Sequence, residues 1–165
     1  MDTAIKTCKL MLRNRGYQEI ENLLFENVEK NKIIVFIIED KLSIEHIKNY
    51  TNSLIKEAIN HCIIIYNEDI TPVAKQVIET ITEYKFEIFS ISELQYNIVE
   101  HRLVPKHVKL NSDEAKLIKR KFGSKLPVIL KSDPISKYYN FSRGDIIKII
   151  RKRNNEEYIT YRIVK

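Results

Sequence analysis

Apolar residues fall in two rhythms along this chain, one of period near 3.6 and one of short unbroken runs. Ile5, Cys8, Met11 and Leu12 recur as one face of a helix over residues 3–15, with Gly16 where a helix stops. Residues 17–31 fit either a short helix or a strand. Ile33-Ile34-Val35-Phe36-Ile37-Ile38 is β-branched, continuous and bounded by charge, the mark of a buried strand. Ser43 then caps a predicted helix to about Asn60, with Ile44, Ile47, Leu54, Ile55 and Ala58 turned inward. Cys62-Ile63-Ile64-Ile65-Tyr66 is a second buried strand. Thr71-Pro72 starts a helix presenting Val73, Val77, Ile78 and Ile81, and Phe86-Glu87-Ile88-Phe89 is a third strand. Alternating strands and helices predict an α/β layer with some parallel pairing.

The rhythm changes near Glu100. Leu103-Val104-Pro105-Lys106-His107 reads as extended. A helix is predicted from Ser112 to Phe122, capped by Asn111 or Ser112 and stopped by Gly123. Leu126-Pro127-Val128-Ile129-Leu130 is extended again, and Asp133-Pro134 begins a short helix through Tyr138. Two β-rich runs close the chain, Ile146 to Arg151 and Glu157 to Lys165, on either side of a polar turn. Arg143-Gly144-Asp145 forms the corner before the first run. In the second, Ile159, Tyr161 and Ile163 alternate toward a core. The change of pattern, between residues 92 and 102, divides the chain into domains 1–96 and 97–165. There is no internal repeat or low-complexity segment.

Charge sharpens that division. Residues 1–100 hold 11 Lys and Arg against 16 Asp and Glu, whereas residues 101–165 hold 17 against 6. The basic part meets either phosphate or an acidic protein surface. Its cations crowd in two places, Lys116, Lys119, Arg120 and Lys121 on one helix and Arg151, Lys152 and Arg153 at the hairpin turn. With 44% hydrophobic residues the 165-residue chain has enough apolar matter for a packed core. No apolar run approaches the roughly 20 residues that cross a bilayer, and the first residues do not read as a secretion leader. Cys8 and Cys62 both sit in apolar patterns and are expected to be free buried thiols.

Chemistry-bearing patterns are sparse. His46, His61, His101 and His107 are scattered, and His61 at a strand start reads as packing. The three glycines form no phosphate loop. No catalytic residue, metal ligand or cofactor is assigned.

Five collinear segments carry a resemblance. They are Glu100 to Val108 (EHRLVPKHV), Leu126-Pro127-Val128-Ile129, Asp133 to Tyr139 (DPISKYY), Arg143 to Arg151 (RGDIIKIIR) and Tyr158 to Val164 (YITYRIV). In this order the chain resembles the fifth subunit shared by the three eukaryotic nuclear RNA polymerases, whose C-terminal domain is similar to a small subunit of the archaeal RNA polymerase. Leu12 to Tyr17, and Ile70 to Gln76 with Val73 in place of a serine, resemble that family's N-terminal domain more thinly. The resemblance implies an α/β N-terminal jaw domain, a restriction-endonuclease-like layer that is catalytically inert, and a small α+β C-terminal assembly domain. It implies docking on the largest polymerase subunit and neighbouring small subunits through Leu103, Pro105, His107, Pro127, Asp133, Pro134, Tyr138, Arg143, Gly144, Arg151, Tyr158, Thr160, Tyr161 and Arg162. It also implies a weak approach to downstream duplex DNA through Thr71, Pro72 and Lys75, without membrane contact. The expected compartment is the nucleus for a cellular protein. The compact form and abundant Ile, Asn and Lys also suit a large DNA virus, for which virion or host cytoplasm is expected. Two other readings stand beside it. One is a stand-alone basic nucleic-acid-binding protein. The other is a nuclease in which Glu39-Asp40-Lys41, an acid-x-Lys strand end, joins Glu26 or Glu29 around Mg²⁺.

Overall fold

The computed structural model describes residues 1–153 and 156–165, and the chain folds as two compact units, Met1–Tyr96 and Asn97–Lys165. The polar turn expected between the last two strands lies outside the described residues.

In the first unit, α1 (Asp2–Asn14) is followed by β1 (Tyr17–Glu21), β2 (Leu24–Asn27), β3 (Lys32–Ile38), α2 (Ile44–Lys56), β4 (His61–Tyr66), α3 (Pro72–Thr80) and β5 (Lys85–Ser90). The five strands lie in sequence order. β1, β2 and β3 pair antiparallel, while β3, β4 and β5 pair parallel. The ambiguous stretch 17–31 is thus a hairpin, with Leu23 and Lys30 at positive φ in its turns. Both parallel connections step the same way along the sheet, so right-handed crossovers put α2 and α3 on one face. That face holds Ile34, Phe36, Cys62, Ile64, Phe86 and Ile88 under Leu54 and Ala74 of the helices. Phe36 stacks on Tyr50 with ring centroids 4.2 Å apart.

Four positions expected to face inward do not. Val73 is exposed because Thr71 caps α3, so the inward stripe runs Ala74, Val77, Ile78, Ile81. Ile44 is at the surface in the first turn of α2, and Ile55 is 58% exposed. Ala58 lies beyond the helix. It adopts φ 52° while the Ala58 N–H donates to Ile55 O at 3.2 Å and the Ile59 N–H to Leu54 O at 2.9 Å. This is a Schellman termination with alanine at the position that favours glycine, and it swings Ile59 into the core beside Leu54.

On the opposite sheet face, Glu87 of β5 is nearly buried. Arg15, just past α1, donates to both its carboxylate oxygens at 2.9 and 2.8 Å, and His61 Nε2 lies 2.6 Å from Oε1. Burial alone would push the Glu87 carboxyl up. The His61 hydrogen bond, the Arg15 charge and the Arg15 hydrogen bonds outweigh it and hold the group at about 2, against an ordinary 4.5. Cys8 and Cys62 are free and buried. Burial pushes the Cys8 thiol up to about 12 and raises Cys62 as well.

The second unit contains β6 (Lys106–Lys109), α4 (Ser112–Phe122), β7 (Val128–Ile129), α5 (Pro134–Tyr138), β8 (Ile146–Arg153) and β9 (Glu156–Val164). Its sheet order is β6-β8-β9-β7, antiparallel except for β7 with β9. One face carries Ile147, Ile149, Val164 and Ile129 against Ile135 and Phe141. The other carries Ile146, Tyr161 and Ile163 against Leu110, Leu126, Ala115 and Ile118. The expected alternation of β9 therefore reaches its core only in part, and Ile159 stays 47% exposed.

The Arg143-Gly144-Asp145 corner is a hydrogen-bonded turn from Ser142. The Asp145 N–H donates to Ser142 O at 3.0 Å, the Ser142 N–H donates to Asp145 Oδ2 at 2.7 Å, and Gly144 takes φ 89°. A side chain there meets no steric obstacle but does meet the left-handed backbone penalty.

These constraints can be measured. Ala58→Gly should raise unfolding free energy by about 0.5–1 kcal/mol and Gly144→Ala should lower it by about 1–2 kcal/mol, both read from urea melts. Glu87→Gln removes the charge that Arg15 and His61 hold in a nearly buried site and should cost about 3–5 kcal/mol. Because the folded pKa of Glu87 is depressed, its contribution is complete above pH 4.5 and drains away as pH falls toward 2. Wild type should lose stability over that window, and the Gln variant should lack this component.

Candidate functional site

The N-terminal candidates sit at the carboxyl end of the parallel strands. The Leu42 N–H donates to Asp69 O at 2.9 Å and the Thr71 N–H to Leu42 O at 3.0 Å, which sets the starts of α2 and α3 side by side. Thr71 Oγ1 accepts from the Ala74 N–H at 3.2 Å, and Pro72 brings no N–H, so the helix start has few donors left for an anion. Lys75 is exposed, but so are Glu39, Asp40, Glu68 and Asp69 around it. These carboxylates repel phosphate.

The carboxylates needed for a nuclease are not together. Glu26 pairs in register with Lys32 at the start of β3, whereas Glu39 follows its end. Seven residues of strand put them roughly 20 Å apart. Glu26 is also held by Lys30 at 3.0 Å. Among the described residues no three His, Cys, Asp or Glu side chains form a cation-holding group.

The C-terminal candidates separate into two sets. Asp133, Pro134, Tyr138 and Gly144 build the fold. Asp133 Oδ1 caps α5 by accepting from the Ile135 N–H at 2.9 Å, Pro134 occupies its first turn, and Tyr138 is buried and packs edge-on against Tyr139 at 5.1 Å. Pro127 O accepts from the Ile163 N–H, tying β7 to β9. Tyr161 is half-buried against Phe122, and Arg143 is exposed at its turn.

The other set shares one face of the sheet. In register, Arg151 lies opposite Tyr158, Ile149 opposite both His107 and Thr160, and Ile147 opposite Arg162. Strand alternation therefore puts His107, Arg151, Tyr158, Thr160 and Arg162 on a single face. The His107 ring is half-buried, with Nδ1 2.7 Å from Pro105 O. A carbonyl only accepts, so Nδ1 carries the hydrogen in this contact. Burial is the main force lowering the His107 pKa; nearby Arg151 and Arg162 lower it further, while the Pro105 bond and Asp133 oppose them. At neutral pH it is an uncharged ring on the same sheet face as both guanidinium groups.

Beside this row, β6 begins only at Lys106, so the preceding segment bends away from β8. A groove of about 650 Å³ opens between Arg102-Leu103-Val104-Pro105-Lys106 and the end of the β8–β9 hairpin at Ile150, Arg151, Lys152, Glu157 and Tyr158. Leu103 is 73% exposed and Tyr158 45% exposed, both on the groove, and among the described residues four cations outnumber one carboxylate there. Covering an exposed leucine is worth about 1.5–3 kcal/mol. The groove thus offers apolar anchors inside a cationic rim, the pattern of a protein-docking surface. Of its lining, Leu103, Pro105, Arg151 and Tyr158 stand out in the sequence motifs. Arg102, Lys106, Ile150 and Lys152 are not among the expected docking residues, because their contribution depends on where β6 leaves the sheet.

Residues 96–164 match the family model described as RNA polymerase Rpb5, C-terminal domain. Over 155 residues the chain is 36% identical to a Dictyostelium discoideum protein, DNA-directed RNA polymerases I, II, and III subunit rpabc1, covering 87% of this chain and 79% of that one. The chain belongs to the Rpb5 family. Two further Rpb5-family relatives, the RPABC1 subunits of Caenorhabditis elegans and Caenorhabditis briggsae, are each 39% identical over 140 residues, or 81% of this chain and 66% of theirs. The family match includes both grooved strands and the capped helix α5.

Ile149 is 1% exposed at the centre of this unit. Ile149→Asp should abolish the folded C-terminal unit, since an unpaired buried charge costs several kcal/mol. Tyr158→Ala should leave it folded. Amide NMR spectra distinguish the two outcomes.

Proposed function

We propose that this chain is a subunit of a multisubunit DNA-directed RNA polymerase with no catalytic site of its own. The observation that carries this reading is the 36% identity with a polymerase subunit over 87% of the chain. The C-terminal unit docks on the largest subunit and its small neighbours. Leu103 and Tyr158 are the anchors, and Arg102, Lys106, Arg151 and Lys152 meet acidic groups around them. The N-terminal unit is an inert jaw layer of restriction-endonuclease type. It lies near downstream DNA, which Thr71, Pro72 and Lys75 touch weakly. The relatives are eukaryotic, and the nucleus is the compartment this reading assigns.

A tagged chain should recover the two largest polymerase subunits in stoichiometric amount. Leu103→Asp combined with Tyr158→Asp should keep the wild-type melting temperature and bind the complex at least roughly a hundred-fold more weakly, given about 1.5–3 kcal/mol per lost anchor. Failure of the wild type to recover those subunits, or equal recovery by the double variant, would contradict the reading.

A further inference from the structure

The C-terminal unit has a second cleft, of about 380 Å³, between α4 and the start of β8. Lys109 lies on one side, at the end of β6. Lys116 and Lys119, three residues apart on one flank of α4, lie on the other, and Gly144 and Asp145 complete the wall. The apolar lining residues offer no exposed anchor: Leu110 is 9% exposed, Ile146 is 1% exposed, and Ala115 is half-buried. This distinguishes the cleft from the groove, where Leu103 and Tyr158 stand out.

Its charge is unbalanced in favour of an anion. Among the described residues Asp145 is the one carboxylate on the wall, and it already accepts from the Ser142 N–H at 2.7 Å and pairs with Lys109 at 2.9 Å. Lys116 has only a 3.4 Å contact with Asp113, whose side chain is 91% exposed. Among the described residues Lys119 forms no ion pair. Cations near a helix C-terminus are often no more than partners of the helix dipole, and Lys119, Arg120 and Lys121 all lie in the last turn of α4. That explanation reaches neither Lys116 in mid-helix nor Lys109 on the neighbouring strand. Gly144 presents bare backbone to the opening, with nothing within 4 Å of where a Cβ would stand.

We propose that this cleft binds the phosphodiester backbone of duplex DNA through Lys109, Lys116 and Lys119. A row of cations without apolar anchors gains most from a dense polyanion, and a duplex carries one charge per about 1.7 Å of axis. Contact is with phosphate alone, so binding is independent of base sequence and steeply weakened by salt. Arg120, Lys121 and Lys125 extend the positive field along the approach. Binding requires no other polymerase subunit.

The test is fluorescence anisotropy of the full chain with a labelled mixed-sequence DNA duplex across a salt series. Each neutralised phosphate contributes about 0.9 to the slope of log affinity against log salt. Lys116→Ala with Lys119→Ala should reduce that slope by roughly two while the melting temperature stays put. Arg151→Ala with Lys152→Ala removes the same charge from the groove and should keep the wild-type slope. A single strand should bind more weakly than the duplex. No duplex binding at low salt, a wild-type slope in the α4 variant, or equal losses in both double variants would overturn the proposal. So would an α4 variant that keeps its DNA binding but no longer recovers polymerase subunits, which would make the cleft a protein dock.

Discussion

The pairing of β8 with β9 fixes the place of every candidate residue in the C-terminal unit. Ile146 and Ile147 are adjacent and both essentially buried, one in each of the two cores that flank the sheet. The register is pinned at its start, where the Gly144 N–H donates to Val164 O and the Val164 N–H to Asp145 O, both at 2.9 Å. A slip of one residue would exchange the faces, turning Lys148 toward the Phe141 core and Ile147 out of it. It would also separate Arg151 from Tyr158. The Gly144 turn is therefore the local device on which the whole arrangement depends.

This register leaves two surfaces with different chemistry on one small basic unit. Where β6 stops pairing with β8, exposed side chains of Leu103 and Tyr158 stand among cations. Where β6 ends against α4, lysines stand around a cleft without such anchors. A protein surface and a phosphate backbone call for these two patterns respectively, because apolar burial drives the first and counterion release the second. Both surfaces draw on the 17 basic residues that stand against 6 acidic ones beyond position 100. The first unit, by contrast, uses its best-placed arginine internally, on buried Glu87.

Much of the architecture was legible because it follows from period and capping. The runs 33–38 and 62–66 read as buried strands with some parallel pairing, and Thr71-Pro72 and Asp133-Pro134 carry their cap chemistry locally. The stretch 17–31 was not legible, since its strands are short and its turns use Leu23 and Lys30 at positive φ instead of glycine. Ala58 misled for the same reason. An alanine in helical rhythm gives no sign that it ends the helix and hands the inward place to Ile59. At the candidate site, family-like motifs mix folding residues with surface ones. Tyr138 and Gly144 read the same as Arg151 and Tyr158 in sequence, and only the structure separates them, by the burial of Tyr138 and the positive φ of Gly144. The acid-x-Lys triplet at Glu39 shows the reverse error, a local pattern whose required partner lies at the other end of the strand.

The groove beside Leu103 and Tyr158 is the face proposed to be covered by other polymerase subunits. Hydrogen–deuterium exchange of the free chain against the assembled complex, without DNA, addresses this directly. The account predicts new protection at residues 102–106, 150–152 and 157–158, with the exposed flank of α4 unchanged. Protection confined to Met1–Tyr96, or appearing on α4 while the groove exchanges freely, would contradict it.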